Sequence, residues 1–412
     1  MILNYEGKHN EKAEKISLMR LFIFLVLILN VLQAADILVP EKSKKRVQLT
    51  IASEDQNSTT ESSNFYDENG QFDVSGYLSQ VYGFLPVPIL ITEPAIGYGG
   101  GVALMYLHDK FTGKKSASGR NIPPSVSGII AGGTENGTYM LGAFHAGYWL
   151  EDTLRTVTFI GYPNINVDMY SNNQAIELNM KGPILYQSAK ARIAESNFFL
   201  GAAYMYAGVD VSLDDPLLDA LVGGKVSIAA LTAIGEYDSR DNTMSPDDGM
   251  MLNLQARFFN EVFGADFNFN ALSAQTLFYN TVGSDWHIDL RLQAETVEAD
   301  KAPAYLYPFV MMRGIPAMRY QGEHTALAEM QFGYAFDSHW RGLVFGGVGK
   351  AFGEQILAPT ISFSDAPERY SGGVGFRYLI ASKFGLRMGI DLAKSENDSA
   401  IYIQFGTAWK GL

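Results

Sequence analysis

The stretch His287-Ile288-Asp289-Leu290-Arg291-Leu292-Gln293-Ala294-Glu295 alternates strictly between apolar or small and polar side chains. A period of two puts each set on its own face of a β-strand, whereas a helix would scatter both around its circumference. Ile288, Leu290 and Leu292 form a face fit for lipid. His287, Asp289, Arg291, Gln293 and Glu295 form the other, with both signs of charge, which only a wet or fully paired interior tolerates. A soluble β-sandwich or propeller is the competing architecture. A sandwich needs the reverse arrangement, because its inner faces must be apolar.

The pattern recurs. Leu252, Leu254, Ala256 and Phe258 alternate with Asn253, Gln255 and Arg257, and Leu386, Met388, Ile390 and Leu392 with Arg387 and Asp391. Such segments number about sixteen between Pro94 and Trp409, and tilted strands of about ten residues cross an apolar band of about 25 Å. Lipid tolerates no open sheet edge. The expected fold is therefore all-β: a transmembrane antiparallel β-barrel of about 16 strands, spanning 91–412.

Composition agrees. Of 412 residues, 18% are charged and 12% aromatic, a low charge density with no internal apolar run long enough for a membrane helix. A net charge of −13 argues against nucleic acid as a partner. With no cysteine, thiolate metal sites and disulfides are excluded. Leu21 to Leu32 is apolar except for Asn30, follows Lys15 and Arg20, and precedes Gln33-Ala34-Ala35-Asp36. Residues 1–35 thus read as a secretory signal peptide. Residues 36–90 read as a flexible periplasmic leader, because Ser53 to Asn64 is too polar to bury a core. Phe84-Leu85-Pro86-Val87-Pro88 reads as its stiffened end, leading into the first strand.

Tyr237-Asp238-Ser239-Arg240-Asp241-Asn242, with Pro246 and Gly249 following, is a charged turn between two amphipathic strands. Asp238, Arg240 and Asp241 can pair among themselves and tie down one end of a hairpin. The stretch resembles a motif of the bacterial surface antigen (BamA/TamA) superfamily of outer-membrane assembly and translocation barrels. Met312-Arg313-Gly314-Ile315, inside the long segment Ala299 to Glu323, is similar to that family's Arg-Gly-aromatic tip, with Ile315 in the aromatic position. The resemblance implies a long loop folded into the barrel, latched by Arg313 and Gly314 against an acid on the inner wall, matched by Glu329. A second wall acid belongs at Gly347, where this chain has none, so the latch is either weaker or uses another acid. The first strand is expected at Ile91 to Gly101, with Gly99, Gly100 and Gly101 loosening a seam to the last strand. Ile401 to Trp409 resembles the final-strand insertion signal, with Phe405 and Trp409 as its aromatics.

The resemblance implies a short, barrel-only member without the periplasmic repeat (POTRA) domains, integral to a Gram-negative outer membrane. Its implied role is outer-membrane biogenesis or translocation of protein or lipid. Implied partners are outer-membrane lipid, client outer-membrane proteins or lipids, and the barrel assembly machinery for its own insertion. A passive porin-like channel and an outer-membrane lipid-modifying enzyme are the alternatives. No nucleophile elbow, zinc-protease helix or phosphate-binding loop occurs. No catalytic residue, metal or cofactor is therefore expected, and the chain is read as not an enzyme.

Overall fold

The computed structural model describes residues 65–80, 83–109, 122–171, 174–214, 216, 219–220, 223–303, 306–355 and 358–409. The expected signal peptide, and the leader up to residue 64, lie outside them. Among the described residues, eighteen strand segments form one antiparallel sheet. They are β1 (Gly83–Ile91), β2 (Gly99–Leu107), β3 (Val126–Thr134), β4 (Tyr139–Trp149), β5 (Leu154–Ser171), β6 (Gln174–Lys181), β7 (Ile184–Arg192), β8 (Phe198–Leu213) and β9 (Gly224–Asp238). β10 (Gly249–Phe259), β11 (Phe269–Val282), β12 (Trp286–Val297), β13 (His324–Ala335), β14 (Trp340–Gln355), β15 (Ala358–Ile361), β16 (Arg369–Ala381), β17 (Leu386–Ser395) and β18 (Ser399–Phe405) complete it.

These segments fill sixteen positions around the wall. β6 and β7 both pair with β5 and both with β8, so they are one position broken at Gly182-Pro183. β15 and β16 both pair with β14 and share another. The charged face of β12 points inward: His287, Asp289, Arg291, Gln293 and Glu295 are buried, and Leu292 is 45% exposed on the outer surface. Register sets Arg291 opposite Glu329 and Asp289 opposite Gln331 on β13. No helix among the described residues is long and apolar enough to cross a membrane.

Two expected boundaries shift. The first strand begins at Gly83, inside the segment read as leader, and its Pro86 and Pro88 are strand residues. Two prolines two apart put their missing donors on the same edge, and such residues are confined to edges. β1 pairs along its whole length with β2, so that edge is the one turned toward β18. No ladder joins β1 to β18 among the described residues. Gly99, Gly100 and Gly101 therefore do not belong to the first strand. They open β2, opposite Ile89 to Ile91 on one side and Gly132 to Thr134 on the other. A Cβ at Gly101 would press on the Ala131 carbonyl, so these glycines let β2 and β3 approach closely.

Part of the expected flexible leader is also folded. Val74 and Leu78 pack on Ala381, Phe384 and Leu386 at the β16–β17 turn. The Val74 amide donates to the Ile380 carbonyl at 2.8 Å, and the Tyr378 hydroxyl donates to the Phe72 carbonyl at 2.8 Å. Residues 65–80 thus sit on the end of the barrel that carries the β16–β17 turn.

Candidate functional site: the lumenal loop and its wall

The segment between β12 and β13 turns into the barrel. Tyr307, Phe309, Val310, Met312, Arg313, Ile315 and Met318 are all buried. It doubles back as a finger: Phe309 bridges Gln321, and the Val310 amide donates to the Tyr320 carbonyl at 2.9 Å. Arg313 and Gly314 stand at its tip. Gly314 has φ +88°, and a Cβ there would lie 3.1 Å from the Lys394 backbone. The tip needs glycine for both reasons.

Arg313 Nη1 donates to Asp391 Oδ2 on β17 at 2.8 Å and to Gln331 Oε1 on β13 at 3.0 Å. Its guanidinium lies 3.6 Å above the Phe345 ring. Glu329 is 3.7 Å from Arg313 Nε, within ion-pair range, but its short bond goes to Arg291 at 2.8 Å. Arg291 also donates to the Met311 carbonyl at 3.0 Å, so the Glu329–Arg291 pair holds the loop from the wall side. Asp391 is fully buried and accepts from Arg377 at 2.6 and 2.9 Å.

Asp391 is thus the second acid. The family pattern places it on β14, where Gly347 stands instead. A Cβ at Gly347 would come within 2.6 Å of Glu329 Cγ and 2.9 Å of Met312 Sδ, so the glycine makes room for the loop. Ile315, in the aromatic position, packs with Val310, Met312, Leu327 and Ala351, and the ring against Arg313 comes from Phe345. Asp391 was visible in the sequence as an inward-facing acid of β17. Only the fold shows that β17 meets the loop tip.

The tip reaches both sides of the unpaired edge. The Gly314 amide donates to the Tyr402 hydroxyl on β18 at 3.0 Å. The Ala317 amide donates to Glu93 Oε1 in the β1–β2 turn at 3.4 Å. Beneath the tip lies a third element. β18 ends at Phe405, the chain turns at Gly406 with φ +77°, and Trp409 is buried against Met251, Leu277 and Tyr279 of the inner wall. Trp409 is 5.6 Å from Arg313, and Thr407 bonds the Tyr279 hydroxyl at 2.9 Å. The expected final-strand signal is corrected accordingly: Phe405 closes the strand, and Trp409 points into the lumen rather than ending a lipid-facing row.

Of the turn residues, Asp238 and Arg240 come together and Asp241 does not join them. Asp238 accepts from Arg240 Nε at 2.9 Å and Arg155 Nη1 at 3.1 Å. Arg155 reaches Asp152 at 2.6 Å and Glu236 at 3.3 Å, and Lys190 reaches Glu236 at 2.7 Å, so the pair belongs to a buried network across β5, β7 and β9. Asp241 instead accepts the Asp247 and Asp248 amides at 3.1 and 3.2 Å, shaping the turn. The turn then ties into the barrel end. Asn242 donates to the Phe384 carbonyl at 2.7 Å, and the Thr407 amide donates to the Met244 carbonyl at 2.7 Å. Among the described residues no cluster of histidine and acidic side chains could hold a metal ion.

Residues 151–306, which run from just before β5 through β12, match the model of the Omp85 superfamily domain. BamA from Haemophilus ducreyi, in a form lacking POTRA domains 1–3, superposes with a TM-score of 0.52 at 13% identity, covering 78% of this chain and 68% of that one. CdiB from Escherichia coli superposes with a TM-score of 0.55 at 8% identity over 78% of this chain, which spans only 61% of CdiB. At these identities the likeness is one of fold. No curated protein sequence matches. The barrel fold and the matched segment agree: residues 151–306 are similar to the Omp85 superfamily domain, within a barrel of the kind seen in BamA and CdiB.

Proposed function

We propose that the protein is an integral outer-membrane barrel working in membrane biogenesis or translocation of protein or lipid, with the Arg313 loop as its releasable lid. The observation that supports this most is the reach of the tip to β18 through Gly314 and to the β1–β2 turn through Ala317. A lid that fastens both sides of an unpaired edge couples occupancy of the lumen to the state of that edge. Arg313 holds Asp391 through one nitrogen, whereas Arg377 holds it with two. The lid bond is thus weaker than the wall's own pair, as a movable part requires.

Under this reading residues 1–35 are a removed signal, residues 36–64 lead to the folded segment at the barrel end, and clients are outer-membrane proteins or lipids. The proposed work of the lumen is gating. A strain lacking the protein tests the role. Loss of particular outer-membrane proteins or of lipid asymmetry supports it. A normal membrane, together with steady open conductance of the purified barrel, favours the passive channel.

A further inference from the structure

The outer wall carries a second constellation, independent of the lumenal loop. Ser127 of β3 lies directly opposite His145 of β4 and Tyr106 of β2 in the sheet register. Its Oγ is 2.8 Å from His145 Nδ1 and 2.7 Å from His108 Nε2. A hydroxyl has one proton, so it donates to one imidazole and accepts an N–H from the other. These side chains share the outward parity of Ile129 and Leu141, which are 55% and 61% exposed on the lipid-facing wall. Around them lie aromatic rings: Phe84 against Tyr106, Tyr106 against His108, and His145 against Trp149, with centroids 5.1 to 5.6 Å apart. Aromatic girdles sit at headgroup level on membrane barrels. Just below that level lies the ester linkage of a glycerophospholipid. Linear motifs miss this arrangement, because its three residues come from two neighbouring strands and the bend that follows a third.

We propose that Ser127 is an acyl-accepting nucleophile, with His145 as its base, acting on glycerophospholipid esters at the outer surface of the barrel. A hydroxyl within hydrogen-bond reach of an imidazole is the minimal activated nucleophile. Ser127 Oγ bonds to the ester carbonyl carbon while its proton passes to His145 Nδ1. The N–H of His108 Nε2, already at the hydroxyl, is the donor nearest the developing charge. Collapse breaks the carbonyl–glycerol C–O bond, and the departing lysophospholipid oxygen takes the proton from His145. Water, activated by the same imidazole, then releases the fatty acid and restores Ser127. The acyl chain would run along Leu104, Ile129 and Leu141.

Among the described residues, His145 Nε2 has no hydrogen-bond partner. No carboxylate therefore steadies the imidazolium, which costs about 10⁴-fold when such a group is lost from a complete triad. Turnover should be slow, and covalent labelling is the more sensitive readout.

The full-length barrel, refolded into phosphatidylethanolamine–phosphatidylglycerol vesicles, is treated with a fluorophosphonate probe. The adduct is mapped by mass spectrometry, and fatty-acid release is followed in parallel. The expected result is an adduct on Ser127, absent in Ser127→Ala and reduced about 10²-fold in His145→Ala, with all proteins showing the same heat-modifiable migration. An unlabelled Ser127 in the folded barrel, or fatty-acid release undiminished in Ser127→Ala, would overturn the proposal and leave the cluster a hydrogen-bonded part of the girdle.

Discussion

Arg313 and Asp391, 78 residues apart in the chain, meet inside the barrel at 2.8 Å, and both are buried. Removing one partner of a buried pair leaves the other charge uncompensated. Asp391 has two arginine partners, so its loss strands both Arg313 and Arg377. Asp391→Asn should lower stability by about 3–5 kcal/mol, read as an earlier loss of the compact band in heat-modifiable migration. Glu329→Gln should also loosen the loop, but through Arg291 and the Met311 carbonyl rather than through Arg313.

Restoring the family's acid on β14 should not strengthen the latch. The Cβ of Gly347→Asp would press on Glu329 and on Met312 Sδ. Overpacking of this kind costs about 1–3 kcal/mol. The expected outcome is a less stable barrel, with part of the loss recovered when Met312→Ala is added. A more stable Gly347→Asp protein would show that Asp391 has not taken over the position.

Trp409→Ala should separate two roles of the C-terminal tail. Truncating a buried tryptophan costs about 3–5 kcal/mol, and here it also uncovers the underside of Arg313. The variant should still reach the membrane, since Phe405 ends the final strand, but should melt earlier and leak more. Failure of insertion with unchanged stability of any inserted fraction would return Trp409 to the role of an insertion signal.

Glu93 gives the loop a pH dependence. It lies in the β1–β2 turn, and burial pushes its carboxyl from the ordinary 4.5 up to about 7. The folded state therefore binds the proton more tightly than the unfolded state. Stability from this group is greatest below about pH 4.5 and falls as pH rises to about 7. Proteolysis of the 298–323 loop should thus be faster at pH 8 than at pH 6, and Glu93→Gln should flatten that difference. An equal pH response in both proteins would remove Glu93 from the lid.

The wall was legible from sequence because a strand's two faces are written residue by residue. His287 to Glu295 alone fixed which side of β12 is wet, and the same alternation led to sixteen positions. Arg313 and Gly314 were found because the tip is a short local motif. Asp391 was not, because which strand faces a folded-in loop depends on closure of the sheet, not on local sequence. The proline-bearing first strand was misread as linker for a related reason. Proline argues against a strand with neighbours on both sides, and only the fold shows that this one has a free edge. Trp409 keeps the odd-numbered parity of Ile401, Ile403 and Phe405 and so reads as part of the same row, but the turn at Gly406 carries it into the lumen.

Single-channel conductance in planar bilayers tests the lid most directly, comparing the native barrel with Arg313→Ala. If Arg313 pins the loop in the lumen, the native protein should be mostly closed, and the variant should open to larger or more frequent conductance steps. An unchanged pore in Arg313→Ala, with the barrel intact by heat-modifiable migration, would contradict it.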